Sequence, residues 1–336
     1  MSLAHLEKRL DLPVGAISNI IGEKRPRYFR KMLLVRRPSW KPNARAKLRL
    51  VWRPSAGLKK VQRAIKLLIA DRFEPHPIAH AYVRGRGIVT NARPHVGKEW
   101  LFQIDLVNFF GSITHKLVEE ALRALLTDFS EQDIGVIADL CCHDGFLPEG
   151  SPSAPILSNL VCFPLDRRLE EFAVMLGLTV TRYSDDICFS SASAKIPREL
   201  AKVRGLRAAQ KIVLGLQLRA LFCPYGFDIN LKKVRFQDRS GRQQVTGLVV
   251  NDGINIPGDC YDIIRETLHL WNKRGIEVAA WHLQRHYGIG KFRRSLRGLI
   301  GYVGQVRGVD DNRYLDFLKA FEELVADEHF RVELVL

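Results

Sequence analysis

The chain has 336 residues, 46% of them hydrophobic, and a formal net charge of +16. That length allows two or three packed units with a real core. No apolar run approaches the roughly 18 residues of a membrane span, which argues against a membrane protein.

The first residues, MSLAHLEKRLDLP, are charged and lack the apolar core of a signal peptide. Residues 1 to 22 read as helical, with apolar positions at Leu3, Leu6, Leu10, Ile17, Ile20 and Ile21. Residues 23 to 66 then hold 16 Lys or Arg and one acid, Glu23, with Tyr28, Phe29, Trp40 and Trp52 interleaved. A solvated face usually mixes signs. A basic surface for nucleic-acid phosphates explains this bias better. A membrane surface is the competing reading, but the stretch lacks a clean amphipathic helical pattern.

Residues 33 to 54 alternate basic and apolar, which suggests a β-hairpin turning in PSWKPNAR. Residues 58 to 73 carry Leu58, Val61, Ile65, Leu68 and Ile69 at helical spacing. WLFQIDL (100 to 106) reads as a strand, and 115 to 126 and 131 to 143 read as helices. After a Gly/Pro-rich entry comes a helix over 155 to 175, then a hairpin over 178 to 190. A helix is expected over 198 to 221, with short strands near 226 to 236 and 243 to 250. From about 259 the pattern is helical, and it is basic again in KFRRSLRG (291 to 298). The order describes an α+β centre with a basic front and a helical tail. Six cysteines (141, 142, 162, 188, 223, 260) show no disulfide framework or metal spacing and read as thiols of a reducing cytoplasm.

Chemistry concentrates in a few acids. Asp185 and Asp186 sit side by side in VTRYSDDICFS, between apolar runs. Taken alone they could be a solvated turn. Asp105 lies within the apolar strand LFQIDLVNFF, where a charge is costly unless paired or metal-bound. Alone it could cap the following helix. Three carboxylates together suit hard divalent cations such as Mg²⁺. Two such ions can clamp an in-line phosphoryl transfer. A basic chain with that site points to a polymerase or a nuclease.

The motifs FQIDLVNFF, LPEGSPSAPILSNL and YSDD resemble, in order and spacing, the palm motifs of reverse transcriptases. RLVWRPSAGLKKVQRAI (49 to 65) resembles the fingers motif of the bacterial enzymes, and YGFDINLKKVRF (225 to 236) resembles the later motif with an Asn-x-x-Lys core. Asn91-Ala92-Arg93-Pro94-His95 and Val245-Thr246-Gly247 are similar to the N-A-x-x-H and V-T-G signatures of retron reverse transcriptases.

The resemblance implies a right-hand polymerase fold. Residues 1–98 would form an N-terminal helix and fingers, 99–252 a ferredoxin-like palm with interleaved fingers helices, and 253–336 a helical, RNA-binding thumb. It implies that Asp105, Asp185 and Asp186 bind two Mg²⁺ ions. Phe110 would be the gate against the ribose 2′-OH, although core packing is its ordinary alternative. Arg49 and Lys233 (or Lys232) would meet the triphosphate, with Glu149 beside them. Asn91, His95, Val245, Thr246 and Gly247 would position RNA. The implied partners are dNTPs, a cognate noncoding RNA (msr-msd), its branched msDNA product primed from a guanosine 2′-OH, and an accessory effector in antiphage defence. The rivals are a group II intron or abortive-infection enzyme, a silent RNA-binding scaffold and a nuclease.

The chain also departs from the pattern. Glu149 stands where Gln is usual, Ala154 where Thr or Ser is frequent, and Ser184 where Ala is usual. His80-Ala81-Tyr82 replaces the common His-Gly-Phe. None of these removes a candidate metal ligand.

Overall fold

The computed structural model describes residues 3–22, 27–35, 47–205, 211–287 and 292–333. Contacts divide the chain into two compact units: Met1–Met32 with Leu50–Thr246, and Leu33–Arg49 with Gly247–Leu336.

In the first unit the expected N-terminal helix is two helices, α1 (Leu3–Arg9) and α2 (Ala16–Gly22). Pro13 and Gly15, at φ +88°, break it. The buried Glu7 carboxylate bridges the break by accepting the backbone N–H groups of Gly15 and Ile17, both at 2.7 Å. Strands β1 (Tyr28–Val35) and β2 (Lys47–Pro54) pair as a two-stranded sheet. The turn expected in PSWKPNAR lies outside the described residues. Helix α3 (Ala56–Ala70) starts where the Ser55 hydroxyl accepts the Leu58 N–H, and it buries Leu58, Val61, Ile65 and Ile69. The short helix α4 (Ile88–Ala92) follows.

The sheet that carries the acids begins with β3 (Trp100–Asp105), in which Leu101 and Phe102 are both fully buried. Both faces are therefore covered, which explains why the strand reads as continuously apolar. A short turn of helix α5 (Phe109–Ser112), then α6 (His115–Leu125), α7 (Glu131–Cys141) and α8 (Ala154–Met175) lead to β4 (Thr179–Tyr183) and β5 (Asp186–Ser191). Thr114 and Ser130 cap α6 and α7.

The helix expected over 198 to 221 is absent from the described residues. Strands β6 (Ala201–Arg204) and β7 (Lys211–Leu214) pair antiparallel there, and only α9 (Leu216–Phe222) is helical. The reason is local. Gly205 adopts φ +83°, and a Cβ on Gly215 would lie 1.8 Å from the Glu199 carbonyl oxygen. Glycine thus punctuates both ends, and KIVL is β-branched between them. Strand β8 (Arg235–Asp238) starts later than expected, and β9 (Gln244–Val245) and β10 (Leu248–Val249) are short.

The central sheet has the order β4-β5-β3-β8, and every neighbouring pair is antiparallel. With helices after β3 and between β5 and β8, this is the β-α-β-β-α-β path of a ferredoxin-like sheet.

The second unit holds α10 (Gly258–Arg274), α11 (Ile276–Tyr287), α12 (Phe292–Arg307) and α13 (Asn312–Glu333). Its core joins Leu268, Trp271, Leu283, Leu296, Ile300 and Phe321, with Trp271 edge-on to Phe321 at 5.7 Å. Helix α12 buries Leu296, Ile300 and Val303 and leaves Arg293, Arg294 and Arg297 exposed. Among the described residues, no helix is long and apolar enough to cross a membrane.

Candidate active site

Strand register brings the acids together. The β3–β5 pairing sets Asp105 directly opposite Asp186, and the Leu106 N–H donates to the Asp185 carbonyl at 3.1 Å. Tyr183 pairs with Asp186, so Ser184 and Asp185 form a two-residue hairpin turn. Ser184 has φ +60°, the backbone that primed hairpin turns need at their first central residue. One carboxylate oxygen from each of Asp105, Asp185 and Asp186 lies within 4.8 Å of the others.

Three carboxylates so close repel one another. Asp186 is pushed up to about 6, first by desolvation and then by the charges of Asp185 and Asp105, against the pull of Lys233 and Arg235. Its solvent-open side screens part of that shift. Asp105 is buried and meets the Lys233 ammonium, which donates to both of its oxygens at 2.6 and 2.7 Å. Lys232 is exposed. An all-oxygen cluster with this excess negative charge fits a hard divalent cation.

Behind the turn lies a buried ion pair. Arg182 and Asp166 are both fully buried, and the guanidinium donates to the two carboxylate oxygens at 2.5 and 2.6 Å. The same guanidinium donates to the Ser184 carbonyl at 3.1 Å and to Asn159 Oδ1 at 3.1 Å. Arg182 therefore connects α8 to the acid turn. Breaking such a pair by removing one partner typically costs about 3–5 kcal/mol.

Phe109 and Phe110 divide their roles by exposure. Phe109 is buried and stacks on Phe227 at 5.8 Å, whereas Phe110 is half-buried and faces Tyr82 at 6.4 Å between ring centroids. Glu149 is half-buried, and its carbonyl accepts the Trp52 N–H at 2.8 Å. Arg49 lies on β2, but its side chain is outside the described residues.

Residues 40–250 match the family described as "Reverse transcriptase (RNA-dependent DNA polymerase)". The chain belongs to the reverse transcriptase family. It is 31% identical to the Escherichia coli Retron Ec86 reverse transcriptase, over 66% of this chain and 65% of that one. It is 32% identical to the Retron Mx162 enzyme of Myxococcus xanthus, over 69% of this chain and 52% of that one. With the Retron Mx65 enzyme of the same organism, identity is 31% over 78% of this chain and 59% of that one. The alignments thus span 52 to 65% of these relatives' length. A telomerase structure from Candida albicans matches at TM-score 0.48 and 9% identity, over 93% of this chain and 65% of that one, a likeness too loose to bear on function.

Reverse transcriptase membership makes sense of the α+β core and of the hairpin that holds the acids. The two retron-like stretches also lie close together. The Thr246 hydroxyl donates to the Ile88 carbonyl at 3.3 Å, joining the segment after β9 to α4, which contains Asn91. His95 is buried between the Ser190 hydroxyl at 2.7 Å and the Thr181 hydroxyl at 2.8 Å. Burial, aided by Lys98 and His80, holds its imidazole down at about 3. Asn91 is buried, and its Oδ1 has no hydrogen-bond partner among the described residues. Thr246 and Gly247 both take positive φ, +48° and +84°.

Sequence reasoning missed Arg182, Asp166 and Asn159, and gave Tyr82 no role. Arg182 carried a usable signal, since a charge in the apolar strand VTRY needs a buried partner. Asp166 carried none, because DRRLEE reads as a solvated helix face.

Proposed function

We propose that the chain is a retron-type RNA-directed DNA polymerase. It would copy part of a cognate structured noncoding RNA into DNA, start from a guanosine 2′-OH, and leave a branched RNA-linked msDNA. A role in antiphage defence beside an accessory effector belongs to the same reading. The names of the retron relatives support the class. The observation that carries the chemistry is the convergence of Asp105, Asp185 and Asp186 within 4.8 Å.

Two Mg²⁺ ions held by this triad would supply an activated hydroxyl and neutralise the triphosphate. The chain's own residues do the rest. The carboxylates fix where the reacting groups meet. Lys233 stands beside Asp105, with an ammonium able to turn toward the departing pyrophosphate. Phe110, which is half-buried, would serve as the gate that excludes a ribose 2′-OH. Arg49 and Glu149 flank the triphosphate path. Residues 1–98 serve as N-terminal helix and fingers, 99–252 as palm and 253–336 as the RNA-holding thumb. Asn91, His95 and Val245 to Gly247 position the RNA.

The test is co-expression with the noncoding RNA encoded next to the gene, followed by isolation of the short DNA. A 2′,5′-debranching enzyme should free the DNA 5′ end. DNA that instead continues from an RNA 3′ end would refute the retron assignment and leave the polymerase standing. Asp185→Asn and Asp186→Asn should each lower synthesis by about 100-fold or more while RNA binding persists. Near-wild-type extension by either variant would sink the metal assignment.

A further inference from the structure

We propose that Tyr82 and Ser184 form a hydroxyl clasp that couples the Phe110 gate to the metal-binding turn. Tyr82 would then be a positioning residue for both. The inference rests on the polymerase reading above.

The Tyr82 Oη and Ser184 Oγ atoms lie 3.3 Å apart. Tyr82 is 51% exposed, so core packing does not account for its place. Its backbone has φ +63°, a conformation an aromatic residue rarely adopts. Something must hold it there, and the contacts on either side of the ring are the gate and the turn. Phe110 lies 6.4 Å away between centroids, and Ser184 immediately precedes Asp185.

The hydroxyl contact also closes a ring of bonds. The Ser184 carbonyl accepts from Arg182, Arg182 donates to Asn159 Oδ1, and Asn159 Nδ2 donates to the Ala81 carbonyl at 2.9 Å. Ala81 is bonded to Tyr82. Of the side chains in this cycle, Arg182, Asn159 and Ser184 are buried, and Tyr82 alone faces outward. The Tyr82–Ser184 contact is thus its outer link. A buried hydroxyl needs a partner, and Tyr82 gives Ser184 one.

Either hydroxyl alone would lack this partner. Paired, they tie the loop at residues 80–82 to the acid turn, so that a shift of the turn moves the ring against which Phe110 rests.

The experiment uses the full chain with Tyr82→Phe, Ser184→Ala and the double variant. Each change removes only a hydroxyl. Two quantities are read: the ratio of deoxy- to ribonucleotide kcat/KM, and Mn²⁺ affinity of the nucleotide-free protein by electron paramagnetic resonance. Each single variant should lower both by roughly 2- to 10-fold, the range of one net neutral hydrogen bond. The double variant should be no worse than the worse single, because the two hydroxyls act as a unit. Multiplying effects in the double variant, or singles that match wild type in both quantities, would overturn the clasp. If the wild type makes no DNA at all, the polymerase reading fails, while the Mn²⁺ measurement still decides the clasp.

Discussion

The Lys233 ammonium donates to both carboxylate oxygens of Asp105, at 2.6 and 2.7 Å. Without a bound cation, this contact neutralises a nearly buried acid. A divalent ion at the triad would take over that task. Lys233→Met should therefore destabilise the EDTA-treated protein by about 1–2 kcal/mol, the cost of leaving one polar partner unpaired near the surface. Saturating Mg²⁺ should recover most of that loss. Thermal unfolding with and without the ion measures it, and an equal loss in both conditions contradicts the exchange.

Asp186 bears the opposite burden. Its carboxyl is pushed up to about 6, so the folded protein holds this proton more tightly than the unfolded chain, whose value is near 3.8. Below the unfolded value the group costs nothing. As pH rises toward and past 6, its ionisation destabilises the fold. Asp186→Asn should raise the melting temperature of the metal-free protein at pH 8, and the gain should vanish near pH 4. The same variant should lower DNA synthesis by about 100-fold or more. This is the usual conflict between a charged site and the fold that holds it. A lower melting temperature at pH 8 would show that the carboxylate is favourably paired in the folded state.

His95 sets a different pH limit. Burial holds its imidazole at about 3, far below the ordinary 6.5. A depressed base contributes stability above its unfolded pKa. That stability falls as pH drops below 6.5, and the loss continues until about 3. Between pH 7 and pH 5 the loss should reach about 2 kcal/mol. His95→Gln cannot titrate, so its urea midpoint should depend less on pH across that window, even though it starts lower. Parallel profiles for the two proteins would assign the acid sensitivity elsewhere.

The elements most legible in the sequence were those whose pattern is local. Leu58, Val61, Ile65 and Ile69 fall at helical spacing and are buried on one face of α3. Asp105 stood out because an apolar strand has no ordinary use for a charge. The β6–β7 ribbon was not legible. Its strands are only four residues each, and their pairing rests on contacts between the two strands rather than on periodicity. The Arg182–Asp166 pair was hidden for a similar reason. Sixteen residues separate the partners, and nothing in the spacing of a helix and a strand says that their side chains will meet. Tyr82 was visible only as a departure from a pattern. Its neighbours, Ser184 and Phe110, come together through the fold.

Glu149 offers the most direct test of nucleotide handling. Its backbone is fixed independently of its side chain: the carbonyl accepts the Trp52 N–H at 2.8 Å, and Gly150 follows at φ +109°. A Cβ on Gly150 would lie 2.9 Å from the Trp52 carbonyl oxygen, so the loop approaches β2 as closely as glycine allows. Glu149→Gln should therefore keep this backbone contact while removing a negative charge. If that carboxylate flanks the triphosphate, its loss relieves repulsion, and the KM for nucleotides should fall with little change in kcat. The effect should shrink as salt rises, because the group is partly open to solvent. Steady-state extension at low and high ionic strength separates the outcomes. A raised KM would mean that the carboxylate accepts a hydrogen bond, such as one from a ribose 3′-OH, that the amide does not replace.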